Sequence, residues 1–210
     1  AGNMTNILLV EDSKISRETI ESRISRSPDY LLLASIENAA NAEIACLNGK
    51  VDLILMDVCT ADGESGLKAA ANIKKRDANI KIIIMTSMPE HSFLQRAKDC
   101  GCDGFWYKEY GDEDLLDVCG RVMRGETVWP SGTPPISLGG ASSLDLTERE
   151  LAVLRELAMG KKYEEIAETL GISANTVKYH IKNLLQKTGC RSTLQLAVEV
   201  VDKKLILPKY

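Results

Sequence analysis

The chain has 210 residues, of which 44% are hydrophobic and 27% charged, with a formal net charge of −4. These proportions exclude a disordered chain, a collagen-like repeat and a disulfide scaffold, and leave room for one large domain or two small ones. No apolar stretch is long enough to span a membrane and no secretory leader is read at the start, so a cytoplasmic protein without membrane contact is expected. Ala1-Gly-Asn, ahead of Met4, is left out of the fold reading. The six cysteines (Cys46, Cys59, Cys100, Cys102, Cys119 and Cys190) form no CxxC pair. With only His91 and His180 beside them, they read as reduced, mostly buried thiols and not as zinc ligands.

Charge is unevenly spread. Residues 1–130 hold 15 Lys+Arg and 21 Asp+Glu, whereas residues 131–210 hold 11 and 9. From Ala174 to Arg191 there are four basic residues and no acid. An acidic front and a locally basic back imply two domains with different partners.

In chain order, Thr5 to Val10 reads as a buried strand ending in Glu11-Asp12. Ser13 can cap a helix running to about Ser27, with Ile15, Ile20 and Ile24 on its apolar side. Tyr30 to Ile36 is a second strand. Ala39 to Asn48 is an Ala-rich helix closed by Gly49. Val51 to Met56 is a third strand, its apolar run leading up to the single carboxylate of Asp57. Such a run marks a strand buried on both faces, as inside a parallel sheet, and its carboxyl end is where ligands bind in open α/β sheets. A loop from Cys59 to Ser65 leads to a helix over Gly66–Arg76. A fourth strand spans Ile80 to Thr86, a helix about Glu90 to Cys100, a fifth strand Asp103 to Tyr107, and a last helix Asp112 to Arg124, with Asp112 as its cap. Five strand–helix alternations predict a parallel sheet in the order 2-1-3-4-5 with helices on both faces.

The strand ends then present Glu11 and Asp12, Asp57, Thr86 with Ser87, and Lys108 side by side. Three clustered carboxylates repel unless a hard cation sits between them, and Mg2+ suits oxygen ligands. Asp57 would be a nucleophile toward a phosphoryl group, with Thr86 and Lys108 contacting the phosphoryl oxygens. This set resembles the receiver domain of two-component response regulators, a flavodoxin-like fold, over about residues 4–128. The resemblance implies that Asp57 accepts a phosphoryl group from a sensor histidine kinase. It also implies that Glu11, Asp12, Asp57 and the backbone carbonyl of Cys59 ligate Mg2+, and that Thr86 and Phe105 form a packing switch acting on the fourth-helix, fifth-strand, fifth-helix face. The chain departs from the pattern after the acceptor. Thr60 and Ala61 stand where Met-Pro is usual, Gly66 lies nine residues on instead of eight, and Glu109 replaces a proline often found after the lysine. The loop therefore reads one residue longer.

Residues 129–144, with Pro130-Ser-Gly-Thr-Pro-Pro and Leu138-Gly-Gly-Ala-Ser-Ser, have linker composition. A second domain over 145–210 follows, with four helices at about 148–159, 163–170, 174–188 and 193–203. Thr147 with Glu150 forms a capping box. Leu151, Leu154, Leu157 and Ala158 share a face of the first helix. The second and third, joined by Gly171-Ile-Ser, form a helix-turn-helix with Ser173 as cap. Val177, Ile181, Leu184 and Leu185 share the buried face of the third helix. Lys178, Tyr179 and Lys182 lie outward, where a major-groove helix reads bases, and Thr176, His180, Lys187 and Arg191 are placed for phosphates.

The segment 145–207 resembles the LuxR-type helix-turn-helix, and with the receiver it makes the chain look like a NarL/FixJ-type response regulator. That resemblance implies a homodimer on double-stranded DNA with inverted half-sites. Leu194, Val198 and Val201 of the last helix would form the seam, with Ser192 and Gln195 as its capping box. The expected function is phosphorylation-controlled transcription regulation. The alternative is a phosphorylation-independent or protein-interaction regulator that uses the receiver for docking. No enzyme is expected: an aspartate-nucleophile phosphohydrolase needs a second aspartate two residues on, and Cys59 stands there.

Overall fold

The computed structural model describes residues 2–108 and 113–206. Two compact units are present, one built from residues 2–87 and 92–132 and the other from residues 88–91 and 133–206.

The first unit holds β1 (Thr5–Val10), α1 (Lys14–Ser25), β2 (Tyr30–Ile36), α2 (Ala42–Asn48), β3 (Leu53–Asp57), α3 (Gly66–Arg76), β4 (Lys81–Thr86), α4 (His91–Asp99), β5 (Gly104–Tyr107) and α5 (Leu115–Met123). All strand pairs are parallel, in the order β2-β1-β3-β4-β5. Every residue of β3 is buried, as its continuous apolar run requires for a central strand. Alternation sorts the side chains to the two faces. Ile7, Leu9, Leu53, Leu55, Ile83 and Met85 pack with Ile20 and Ile24 of α1 and Leu115, Val118, Cys119 and Val122 of α5. Leu8, Ile54, Met56, Ile82 and Ile84 lie on the opposite face and are fully or almost fully buried.

Register brings the functional residues together. Val10 is level with Met56, and Asp57 with Met85, so the residues leaving β1 and β3 are neighbours. Thr86 is level with Tyr107, which sets Lys108 just beyond it. The chain after α5 returns to the β5 edge: Val128 N–H donates to the Asp103 carbonyl, and Phe105 N–H donates to the Val128 carbonyl.

Several local expectations need correction. Ile15 is 80% exposed while Ile20 and Ile24 are buried. Five positions turn a helix by about 140°, which takes Ile15 off the stripe that the other two share. Ala39–Asn41 is a separate 3-10 turn ahead of α2, with the Asn38 side chain accepting from Ala40 N–H. Gly49 ends α2 in an extended conformation, not in a left-handed cap. Strand β3 begins at Leu53; just ahead of it, the Asp52 carboxylate accepts from Asn6 N–H. The expected cap Asp112 and the substitution at Glu109 lie outside the described residues; the cap seen on α5 is Asp114, which accepts from Leu116 and Asp117 N–H.

The second unit holds a hairpin, β6 (Ser137–Leu138) with β7 (Ala141–Ser142), and helices α6 (Glu148–Ala158), α7 (Tyr163–Leu170), α8 (Ala174–Thr188) and α9 (Thr193–Asp202). Its core joins Leu138, Val153, Leu154, Ile166, Val177, Ile181, Leu184, Leu196, Val200 and Leu205. The stretch read as linker to residue 144 is thus partly folded. Leu138 is fully buried, and Gly140 N–H donates to the Thr188 carbonyl at 3.1 Å. Gly139 has φ 57°, and a Cβ there would come 1.9 Å from the Thr188 carbonyl oxygen. Its Gly-Gly-Ala-Ser run is turn chemistry, with Gly139 and Gly140 against the end of α8.

Candidate functional site

At the carboxyl end of the sheet, Asp57 is 5% exposed and Glu11 fully buried, while Asp12 is exposed. Lys108 Nζ lies 2.5 Å from Asp57 Oδ2 and 2.7 Å from Glu11 Oε2. Asp57 Oδ1 accepts from Cys59 N–H at 3.2 Å, and Glu11 Oε1 accepts from Ser13 N–H at 3.2 Å. Oxygen atoms of Glu11, Asp12 and Asp57 all lie within 4.8 Å of one another. Burial pushes the Asp57 carboxyl well above its usual range and Glu11 beside it adds to this, while Lys108 pulls the other way. For Lys108, burial disfavours the charged form, but Asp57 and Glu11 outweigh it and hold its pKa above the usual value. The hydroxyl-bearing Thr86 is fully buried at the end of β4, and Phe105 is also packed inside, its ring edge-on to Tyr107 at 5.0 Å.

The loop after Asp57 is closed on itself. Cys59 and Ser65 face each other in an antiparallel bridge, and Gly66 N–H donates to the Val58 carbonyl at 2.8 Å. Thr60 is buried; its hydroxyl donates to the Glu64 carbonyl and accepts from Ala39 N–H. Within the loop lies a 3-10 turn, Ala61–Gly63, where Asp62 (φ 59°) and Gly63 (φ 72°) are left-handed. Gly66 is then forced to be glycine, since a Cβ there would sit 1.8 Å from the Asp57 carbonyl oxygen.

In the second unit, two capping devices set the helix-turn-helix. Gly171 ends α7 in the left-handed conformation, and Ser173 Oγ accepts from Thr176 N–H at the start of α8. Val177, Ile181 and Leu184 are buried and Leu185 is half-buried, whereas Lys178, Tyr179 and Lys182 are exposed. Arg191 is also exposed; Thr176 and His180 are half-buried, with the Thr176 hydroxyl bonded to that of Ser173 and the His180 ring against Tyr179. On α9, Leu194, Val198 and Val201 are exposed.

Residues 7–119 match the response regulator receiver domain family, and residues 144–200 match the luxR family of bacterial regulatory proteins. The chain is a two-component response regulator. Among its relatives is the response regulator protein VraR of Staphylococcus aureus, 30% identical over 95% of this chain and 98% of that protein. A nitrate/nitrite response regulator protein homolog of Haemophilus influenzae is 28% identical over 91% and 94%. Among solved structures, RcsB, captured as two dimers bound to two parallel DNAs, superposes with a TM-score of 0.65 at 20% identity, over 95% of this chain and 98% of that one.

This response regulator couples a receiver domain to a LuxR-type DNA-binding domain. The receiver places Glu11, Asp12, Asp57 and Lys108 in one cluster, as their strand ends require. Lys187 behaves differently from its expected phosphate role. Its ammonium donates to Glu150 Oε1 at 2.6 Å and to the Asp145 carbonyl at 3.1 Å, so it ties α8 to α6. Glu150 is itself the reciprocal partner of Thr147 in the α6 capping box. Burial raises the Glu150 carboxyl, but Lys187 and the Thr147 donors override this and hold it below the usual value. On α9, Ser192 caps as expected, but Gln195 Oε1 accepts from Arg191 N–H, one residue before the cap. Arg17 was missed in the sequence: its Nη1 donates to the Glu11 and Asp12 carbonyls. Nothing in residue type announces a contact made to backbone. Thr60 and Gly66 were registered only as departures from a pattern, and their roles too are made with the main chain.

Proposed function

We propose that Asp57 is the phosphoacceptor and that its phosphorylation controls DNA binding by the second domain. The carrying observation is the set of buried Asp57 and Glu11 bridged by Lys108, with Asp12 at its open side. A carboxylate oxygen of Asp57 attacks the phosphorus of a sensor kinase's phosphohistidine. The P–N bond breaks and the imidazole leaves with its electron pair. Lys108 and the Thr86 hydroxyl stabilise the phosphoryl oxygens as charge gathers there.

The donor set of three carboxylates, together with the Cys59 backbone carbonyl, fits a hard divalent cation, and Mg2+ bound there would offset the charge of the acceptor and of the phosphoryl group. Phosphorylation adds close to two negative charges beside Thr86, and Thr86 with Phe105 forms the packing switch that responds. Cys59 is no general acid, since burial first, then Asp57 and Asp12, push its thiol up to about 12. The phosphoryl group is expected to be lost slowly, as suits a regulator.

On α8, Lys178, Tyr179 and Lys182 contact bases, and Thr176 and His180, with Arg191 just past the end of the helix, lie along the phosphates. Leu194, Val198 and Val201 form the seam of a homodimer on inverted half-sites, in keeping with RcsB, which binds DNA as dimers. A cytoplasmic location suits these partners, and among the described residues no helix is long and apolar enough to cross a membrane.

The test is intact mass after incubation with Mg2+ and a small phosphoryl donor, beside Asp57→Asn. A gain of one phosphoryl group in the parent alone supports the assignment. An equal gain in the variant would place the acceptor elsewhere.

A further inference from the structure

Arg17 lies on the second turn of α1, and its side chain is 18% exposed. Its Nη1 donates to the Glu11 carbonyl at 3.1 Å and to the Asp12 carbonyl at 3.4 Å. The same nitrogen is 3.2 Å from a Glu37 carboxylate oxygen, and Nε is 3.9 Å from Glu21, which in turn accepts from the Ser35 hydroxyl at 2.7 Å. The guanidinium is therefore anchored to α1, β2 and the residue after β2, and it reaches from there to the turn that carries the acidic pair.

The two carbonyls it holds flank the N–Cα–C unit of Asp12. Fixing both peptide planes fixes the direction in which the Asp12 side chain leaves the backbone. Glu11 is pinned independently, through its N–H to the Ile36 carbonyl and its carboxylate to Lys108 and Ser13 N–H. Among the described residues the Asp12 carboxylate has no such anchor: it is exposed, and repulsion from Glu11 and Asp57 favours its swinging away. We propose that Arg17 is a positioning residue that holds the Glu11–Asp12 turn so that the Asp12 carboxylate stays within reach of a divalent cation shared with Glu11 and Asp57. This rests on the cation-site reading given above.

Two roles for Arg17 predict opposite signs. A cation close to a metal site opposes metal binding by Coulomb repulsion, so an arginine acting only through its charge would tighten binding when removed. A positioning arginine weakens binding when removed, and loss of such supporting partners commonly costs about tenfold or more in metal affinity. Lysine keeps the charge, but a single ammonium lacks the planar fork that reaches carbonyls and carboxylates together.

The experiment is a calorimetric titration of the full chain with MgCl2, for the parent, Arg17→Gln and Arg17→Lys, with amide hydrogen exchange of residues 11–13 measured in metal-free protein. The expected result is Mg2+ affinity lower by about tenfold in Arg17→Gln and by a smaller factor in Arg17→Lys, with faster exchange at 11–13. If Arg17→Gln fails to fold, Arg17→Lys decides alone. Unchanged or tighter Mg2+ binding in a folded variant overturns the role given to Arg17 and leaves the cation site standing. No Mg2+ binding by the parent overturns the cation site itself, and the inference with it.

Discussion

At Asp57, burial and the Glu11 carboxylate favour the neutral acid while Lys108 favours the anion. The residues that shape this balance differ in how visible they are in sequence. Asp57 stands out because an apolar strand ends on it, and Glu11 and Lys108 because they end strands that must be its neighbours. Gly66 and Arg17 act on main-chain oxygens, which carry no residue-type signal. Gly66→Ala has nowhere to put its methyl group except against the Asp57 carbonyl. It should destabilise the receiver by about 1–3 kcal/mol, as overpacking does, and slow phosphorylation; an unchanged urea midpoint would contradict the close approach. In the second domain the sign of a pH effect follows from Glu150. Its carboxyl is held below the usual value, so its contribution to stability is present above the unfolded pKa of about 4.3 and is lost as pH falls through the folded value. Thermal midpoints measured from pH 6 down to pH 3 should fall more steeply in the parent than in Lys187→Met; equal slopes would show that the 2.6 Å pair contributes nothing.

Helical elements were legible wherever period and cap agreed. The bounds of α7 and α8 follow from Gly171, Ser173 and the spacing of Val177, Ile181 and Leu184. Ile15, about 140° round the helix from Ile20, was assigned to the apolar face against the helical period, and it is exposed. The proposed base contact of Lys182 on α8 and phosphate contact of Arg191, just past its end, are separable by experiment. Lys182→Ala should cost about 1–3 kcal/mol on a preferred sequence and relax selectivity at one base pair. Arg191→Ala should weaken binding to all sequences alike and reduce the salt slope by about one. Both are read by fluorescence anisotropy across a salt series, and identical behaviour of the two variants would contradict the division between base and phosphate contacts. The hairpin β6–β7 was misread because glycine- and serine-rich turns share their composition with linkers. Leu138→Ala should therefore cost about 2–5 kcal/mol in the second unit, seen as a lower calorimetric midpoint for that unit, whereas a linker residue would cost nothing.

At the scale of the whole molecule, the sheet order and the two-unit division followed from the alternation of strand and helix and from the change of charge along the chain. The shape of the loop after Asp57 was not legible. Thr60 accepts from Ala39 N–H in the segment after β2, distant in sequence, while the left-handed pair Asp62-Gly63 and the Cys59–Ser65 bridge close the loop on itself. A closed, hydrogen-bonded loop against an intact cluster of Asp57, Glu11 and Lys108 favours regulation by phosphorylation over a receiver that serves only for docking. The most direct test of that coupling uses duplexes selected by this protein from a random pool. Their affinity for the full chain is measured with and without a small phosphoryl donor, for the parent and for Asp57→Asn, at one fixed salt concentration. Phosphorylation should tighten binding in the parent and leave Asp57→Asn unchanged. An affinity that is the same in all four conditions, with the parent fully phosphorylated by mass, would contradict it.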